Sequence, residues 1–206
     1  GNLVGYYTEK GYDVIGVDNS GAMIEKSKEK HPDADFREKD VLLTITFQPN
    51  TFTHITCMFF TIYYIKNKAR FFDNCIQWLQ PGGYLILHLV DREKFSPIVP
   101  ASDPLIGVSA QKHSEKRITK SYVKFKDCEY KANFRFNKDE NLGNFIEKFI
   151  SDSNGHIRQN NHKLFMPTQR SILKLAKDVG FIMQQKFEMS RCEYDNQYLY
   201  ILTKPN

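Results

Sequence analysis

From Gly1 to Val90 the sequence alternates short apolar runs with amphipathic helical segments, and this alternation restricts the fold more than any other feature. The runs are Val14–Val17, Ala34–Arg37, Phe52–Phe60 and Tyr84–Val90. Each is rich in β-branched or bulky apolar residues and is bounded by polar or turn-forming residues, the pattern of buried strands. Phe52–Phe60 carries Ile55, Cys57, Met58, Phe59 and Phe60, too continuous a set for a half-exposed edge strand. Helical segments are expected over Gly1–Lys10, Gly21–Lys30 and Lys66–Leu79. Met23, Ile24 and Ser27 are expected on the inner face of the second, and Ala69, Phe72, Cys75, Ile76 and Leu79 form the stripe of the third. Strand and helix in turn predict an α/β fold with a doubly wound, mostly parallel sheet. Sheets of that kind bind ligands at the carboxyl ends of their strands.

Asp18 stands at such an end. It closes the Val14–Val17 run, and Asn19-Ser20 can open the helix that follows. A carboxylate there suits a ribose diol, because it accepts hydrogen bonds from both hydroxyls.

The composition changes at Lys112. Residues 112–138 hold nine Lys or Arg against three acidic residues, and the apolar pattern shifts to period two. Val123 and Phe125, then Tyr130, Ala132, Phe134 and Phe136, alternate with polar residues, mostly charged. The expectation is a hairpin turning near Lys126-Asp127, then strands over Phe145–Ile150 and Ile157–Phe165 joined at Asn154-Gly155. Residues 105–166 thus read as a β-rich insertion into a core formed by residues 1–104 and 167–206. The loop before it carries Pro97, Pro100 and Pro104. With aromatics on one strand face and cations on the other, the aromatics are expected to pack on the core and the lysines to be solvated. The competing possibility is nucleic-acid binding by the basic face. A helix from Pro167-Thr168 to Val179 and strands over Phe181–Met189 and Tyr198–Thr203 close the chain.

Other classes fit poorly. Cys57, Cys75, Cys128 and Cys192 are scattered without metal-ligand spacing, so neither a metal centre nor a disulfide scaffold is expected. They read as reduced thiols of a cytoplasmic protein. No apolar run reaches the length of a membrane span, and Gly1-Asn2-Leu3-Val4 leads into polar sequence, unlike a signal peptide. The net charge of +5 is mild.

Four segments in series resemble class I S-adenosylmethionine (SAM)-dependent methyltransferases. They are Val14–Ser20 with Met23, Phe36-Arg37-Glu38-Lys39-Asp40-Val41, Phe52–Phe60, and Leu79-Gln80-Pro81-Gly82-Gly83-Tyr84-Leu85. The resemblance implies SAM as cofactor, held by Gly1, Asp18, Asn19, Met23, Asp40, Val41, Met58 and Phe59. Asp18 would take the ribose, Asp40 the adenine amino group and the Val41 backbone a ring nitrogen, with Met23 and Met58 on the adenine faces. Tyr63 and Tyr64 occupy the place where such enzymes meet substrate. No residue stands out as a catalytic base; His88, His113, His156 and His162 are candidates. The insertion would cover the active site and select a small-molecule acceptor, and the final strand would enter the sheet antiparallel.

The sequence departs from the family pattern in two places. Gly1-Asn2-Leu3 resembles only the last glycine of the cofactor loop, and no first strand precedes it. The expectation is therefore a fragment whose first strand lies upstream of Gly1. Val14–Val17 should then either lack a neighbour on one side or pair with Ile55–Phe59. Thr53-His54 also follows Phe52 where the family usually has an acid. The alternatives left open are a nicotinamide-binding oxidoreductase, a non-catalytic cofactor- or partner-binding relic of the fold, and a nucleic-acid methyltransferase using the basic insertion.

Overall fold

The computed structural model describes residues 1–98, 114–192 and 194–206. Pro100, Pro104, His113 and the expected start of the insertion lie outside the described residues. In chain order the elements are α1 (Asn2–Glu9), β1 (Ile15–Asp18), α2 (Gly21–Lys30), β2 (Asp35–Glu38), β3 (Phe52–Cys57), α3 (Thr61–Tyr64), α4 (Lys68–Trp78) and β4 (Leu79–Val90). There follow β5 (Lys120–Lys124), β6 (Cys128–Asn137), β7 (Leu142–Ser151), β8 (Ile157–Phe165), α5 (Gln169–Asp178), β9 (Ile182–Glu188) and β10 (Gln197–Thr203).

Local chemistry sets the helix ends. Ser20 Oγ accepts the Met23 N–H at 3.4 Å, Asn67 Oδ1 accepts from Arg70 at 3.1 Å, and Thr168 Oγ1 accepts from Ser171 at 3.1 Å. Each satisfies a donor left orphaned by the first helical turn. Gly180 follows α5 at φ 109°, which a residue with a Cβ adopts only under strain.

Among the described residues three sheets form, where the sequence predicts a doubly wound core sheet and a small antiparallel insertion. β1 and β2 make a parallel pair, β3-β4-β10-β9 a mixed sheet, and β5-β6-β7-β8 an antiparallel meander. In the mixed sheet only β3 and β4 run parallel, and β10 lies antiparallel between β4 and β9. The closing antiparallel pair and the four-stranded insertion match expectation. The single, mostly parallel sheet does not form, because among the described residues β1 pairs only with β2 and β3 only with β4. The first of the two alternatives for Val14–Val17 therefore holds, and residues 2–9 are helical. β3 is accordingly an edge strand with Thr53, His54 and Thr56 exposed, contrary to the expectation from its apolar content.

One core spans the mixed sheet and the insertion. Leu85, Leu87 and Leu89 of β4, Phe72 and Cys75 of α4, and Ile172 and Ala176 of α5 share it with Tyr130, Phe134 and Leu164 of the insertion. Full burial of each large apolar side chain stabilises the fold by about 1.5–3 kcal/mol. Buried cations pin the end of the insertion to this core. Arg92 Nη1 donates to the Met166 carbonyl at 2.9 Å and also to Asn141 Oδ1. Lys68 Nζ donates to the carbonyls of Ile65 at 2.7 Å and Phe165 at 2.8 Å. Tyr122 breaks the expected separation of aromatics from cations. Directly opposite Lys131 in the ladder, it is exposed with that ammonium 5.4 Å from its ring centroid.

Candidate active site

Asp18 ends β1, and Asp40 lies two residues past the end of β2, the parallel partner of β1. β1 and β2 run in register from Ile15 opposite Asp35 to Asp18 opposite Glu38, and the Lys39 N–H donates to the Asp18 carbonyl at 3.0 Å. Asp18 Oδ1 accepts the Ser20 N–H at 2.9 Å, and Asp40 Oδ1 accepts the Leu42 N–H at 2.8 Å. These turns orient two exposed carboxylates while engaging one oxygen of each. Asp18 does not cap α2, since Ser20 does.

The loop after Asp40 is held from behind by α4. Buried Asn74 donates from Nδ2 to the Val41 carbonyl at 2.9 Å and accepts from Thr44 Oγ1 at 3.0 Å. Trp78 Nε1 donates to the Thr44 carbonyl at 3.1 Å, and Arg70 Nη2 to Thr44 Oγ1 at 2.7 Å. Val41 and Leu42 thereby pack against the main core.

At the end of β3 the backbone turns left-handed at two consecutive non-glycine residues, Phe59 at φ 48° and Phe60 at φ 66°. Each costs roughly 1–2 kcal/mol relative to ordinary backbone. His88, on neighbouring β4, accepts the Phe59 N–H at Nδ1, 3.2 Å away, and Phe60 packs its ring on His88 and Phe95. Nδ1 must be unprotonated to accept, so the imidazole carries its proton on Nε2. Burial lowers the pKa of His88, with Gln197 opposing, which keeps the ring neutral. His88 thus supports the turn from inside the protein. The strain leaves the Phe59 side chain 55% exposed at the strand end, with Met58 half-buried beside it.

The two tyrosines expected to face substrate diverge. Tyr63 is wholly buried, and its hydroxyl accepts the Val90 N–H at 2.8 Å. It belongs to the core, and burial pushes its phenol pKa above the usual range. Tyr64 is 48% exposed, and its hydroxyl meets His162 Nδ1 at 2.8 Å. His162 Nε2 lies 3.2 Å from Glu147 Oε2, and Tyr130 donates its O–H to Glu147 Oε1 at 2.9 Å. Elements far apart in sequence thus build a Tyr–His–Glu–Tyr chain beside the strand end. Glu147 was not among the candidates, although the signal was present. In Phe145-Ile146-Glu147-Lys148-Phe149 the period-two pattern puts Glu147 on the same face as the two aromatics, an unusual place for a carboxylate.

The remaining candidates divide. Met23 was expected to face inward with Ile24; Ile24 is buried, whereas Met23 is 54% exposed. Asn19 is exposed. Gly1 caps α1, and a Cβ there would lie 2.9 Å from Ser27 Cβ and 3.0 Å from the Phe36 ring. His156 sits in the β7–β8 turn, bonded through its backbone to Ser151 and Asn154, outside the chain of side chains that holds His162.

Comparison with known families decides what these strand ends belong to. Residues 1–87 match the methyltransferase domain family. That family is one of SAM-dependent methyltransferases. The match runs from α1 into β4 and so contains Asp18, Asp40 and the strained turn at Phe59. No curated protein sequence matches the chain. Among solved structures, the chain superposes on a SAM-dependent methyltransferase from Clostridium acetobutylicum with TM-score 0.71, at 15% identity over 95% of this chain and 76% of that one. An amino pentose methyltransferase of calicheamicin biosynthesis from Micromonospora echinaspora, solved with SAM bound, gives 0.62, at 16% identity over 93% and 73%. A sugar N-methyltransferase from a Streptoalloteichus species gives 0.62, at 14% identity over 94% and 72%. The fold is therefore that of the class I methyltransferases, whose cofactor is SAM.

The residues of the methyltransferase domain fit that cofactor chemically. Two exposed carboxylates at adjacent strand ends match a ribose diol and an adenine amino group, both hydrogen-bond donors. Exposed Met23 and Phe59 offer uncovered apolar surface to a purine face.

Proposed function

We propose that this protein transfers the methyl group of SAM to a small-molecule acceptor. Asp18 would hold the ribose, Asp40 and the Val41 backbone the adenine edge, and Met23, Met58 and Phe59 the adenine faces. When bound, SAM supplies an electrophilic methyl on a sulfonium, open to in-line displacement. The chain's part is to align the acceptor with that methyl and to exclude water. Tyr64, half-exposed beyond the β3 turn, faces the acceptor, and the meander covers it from the side of His162. The single observation that carries this reading is the pair of exposed carboxylates, Asp18 at the end of β1 and Asp40 just past the end of β2, within the residues that match the methyltransferase domain family. The sugar and amino pentose methyltransferases among its structural neighbours support a small polar acceptor.

Isothermal titration with SAM and S-adenosylhomocysteine tests it. The wild-type chain should bind both, and Asp18→Asn and Asp40→Asn should each weaken binding by about tenfold or more, the worth of a charge-assisted hydrogen bond. Absence of binding by the wild type, or unchanged affinity in both variants, overturns the assignment. Turnover of SAM against a panel of aminodeoxy sugars then defines the acceptor class.

A further inference from the structure

We propose that Tyr64, His162 and Glu147 form a proton relay that deprotonates the acceptor, with the Tyr64 hydroxyl as the catalytic group that touches it. The proposal rests on the methyl-transfer reading above and adds to it the route of the proton.

The geometry fixes the direction of the relay. Glu147 accepts from Tyr130 at one oxygen, and its other oxygen faces His162 Nε2 at 3.2 Å. A carboxylate only accepts, so Nε2 carries the imidazole proton and Nδ1 presents its lone pair. The atom opposite Nδ1 is the Tyr64 hydroxyl at 2.8 Å, which must then be the donor. Its lone pairs stay available to an incoming N–H or O–H. The Phe145 ring stacks on the imidazole at 5.3 Å and 25°, fixing its plane. Exposure falls along the chain. Tyr64 is 48% exposed, while the side chains of His162 and Glu147 are 25% and 18% exposed. A relay needs that order, one end wet and the other held in protein. Burial and the Glu147 charge raise the Tyr64 pKa, so the phenol is protonated at neutral pH and acts as a proton carrier, not a standing base.

The step balances. As the acceptor's lone pair forms a bond to the methyl carbon, the carbon–sulfur bond breaks and its electron pair stays on sulfur. The acceptor's N–H or O–H proton passes to the Tyr64 oxygen, and the Tyr64 proton passes to His162 Nδ1. The resulting imidazolium faces Glu147 and later releases its proton to water. Tyr64 is the catalytic residue; His162 and Glu147 act through it.

The titratable groups facing His162 are Tyr64 from α3, Glu147 from β7 and, behind Glu147, Tyr130 from β6. Glu147 is thus the group that holds the imidazole proton on Nε2. Nitrogen-15 NMR of the imidazoles reads this without turnover. The wild type should show His162 as the Nε2–H tautomer, and Glu147→Gln, whose amide can donate as well as accept, should mix the two tautomers. Kinetics with SAM and the best aminodeoxy sugar supply the second arm. Tyr64→Phe, which removes one exposed hydroxyl, should cut kcat about 100-fold or more with SAM affinity unchanged, the usual share of general acid–base catalysis. Glu147→Gln should lower kcat with SAM affinity unchanged. An Nδ1–H tautomer in the wild type, or undiminished kcat in Tyr64→Phe, overturns the relay. Because the tautomer is read without cofactor, its failure is distinguishable from a failure of SAM binding.

Discussion

Phe59 donates its backbone N–H to His88 Nδ1 at 3.2 Å, and that bond joins the strained end of β3 to the buried middle of β4. The consequence is a pH-sensitive support beneath an exposed binding surface. His88 is neutral when folded because burial lowers its pKa below the ordinary 6.5. Below pH 6.5 the unfolded chain takes up a proton that the folded chain refuses. The stability contributed by neutral His88 is complete above that pH and is lost as pH falls toward the depressed folded value. Thermal midpoints should therefore drop between pH 7 and pH 5, and His88→Asn should flatten that slope. His88→Leu leaves the Phe59 N–H without its acceptor and should cost about 1–3 kcal/mol at pH 7.5 by urea titration. An unchanged slope in His88→Asn would show that other groups set the acid limb.

Asn74 should control cofactor affinity without touching the cofactor. It is fully buried in α4 and holds both the Val41 carbonyl and the Thr44 hydroxyl. Asn74→Ala removes both bonds and strands a buried carbonyl, a loss of about 1–3 kcal/mol. The Asp40–Val41 loop then loses its register, so SAM affinity should fall along with the melting temperature. Asn74→Asp keeps the acceptor for Thr44 but buries a carboxylate against the Val41 carbonyl, and should be at least as damaging to folding. Full SAM affinity in Asn74→Ala would mean that the loop is positioned by Trp78 and Arg70 alone.

Much of this was legible in the residues. Val14–Val17 announced a strand that ends at Asp18, and Asn154-Gly155 announced the β7–β8 turn, with Gly155 at φ 64°. These are local properties, decided by side-chain shape and backbone freedom. What eluded the sequence was pairing and direction. The apolar run at Phe52–Phe60 suggested a strand buried on both faces, but burial depends on which strands lie alongside, and none pairs with its open edge among the described residues. Adjacent Tyr63 and Tyr64 are chemically identical, and only the packing of α3 on β8 sends one to the core and the other to His162. Glu147 joins His162 across a ladder whose register the sequence does not state.

Lys68 offers a separate titration. It is 3% exposed, and burial lowers its pKa to about 8. The unfolded chain holds this proton up to about 10.5, so between those values the folded state binds fewer protons than the unfolded one. Stability relative to a variant without the group should thus rise with pH across that window. Wild type and Lys68→Met compared by denaturant titration at pH 7.5 and pH 10 should show the difference moving in favour of the wild type at the higher pH. A constant difference would place the ammonium in a better-solvated setting than its carbonyl partners Ile65 and Phe165 imply.

The β1–β2 unit should open on its own. Its buried residues, Ile24 and Phe36, are not part of the cluster that joins β4, β10 and the insertion. It is tied to that cluster through Val41, Leu42 and the bonds of Asn74, Arg70 and Trp78 to the following loop. With few apolar contacts to break, its strand amides should exchange by local opening, well below the free energy of global unfolding. Native-state hydrogen exchange should show Gly16–Asp18 and Phe36–Glu38 exchanging faster than Leu85–Val90 and Tyr200–Leu202. A ligand that binds only the closed unit, at a hundred times its Kd, stabilises it by about 2.7 kcal/mol. SAM at that level should therefore slow exchange in the β1–β2 unit by roughly 100-fold, and by a similar factor in β10, since global unfolding also requires release of the ligand. Equal rates in the two sheets would show instead that the unit unfolds only with the rest of the protein, and that the loop at Val41 is a rigid connection.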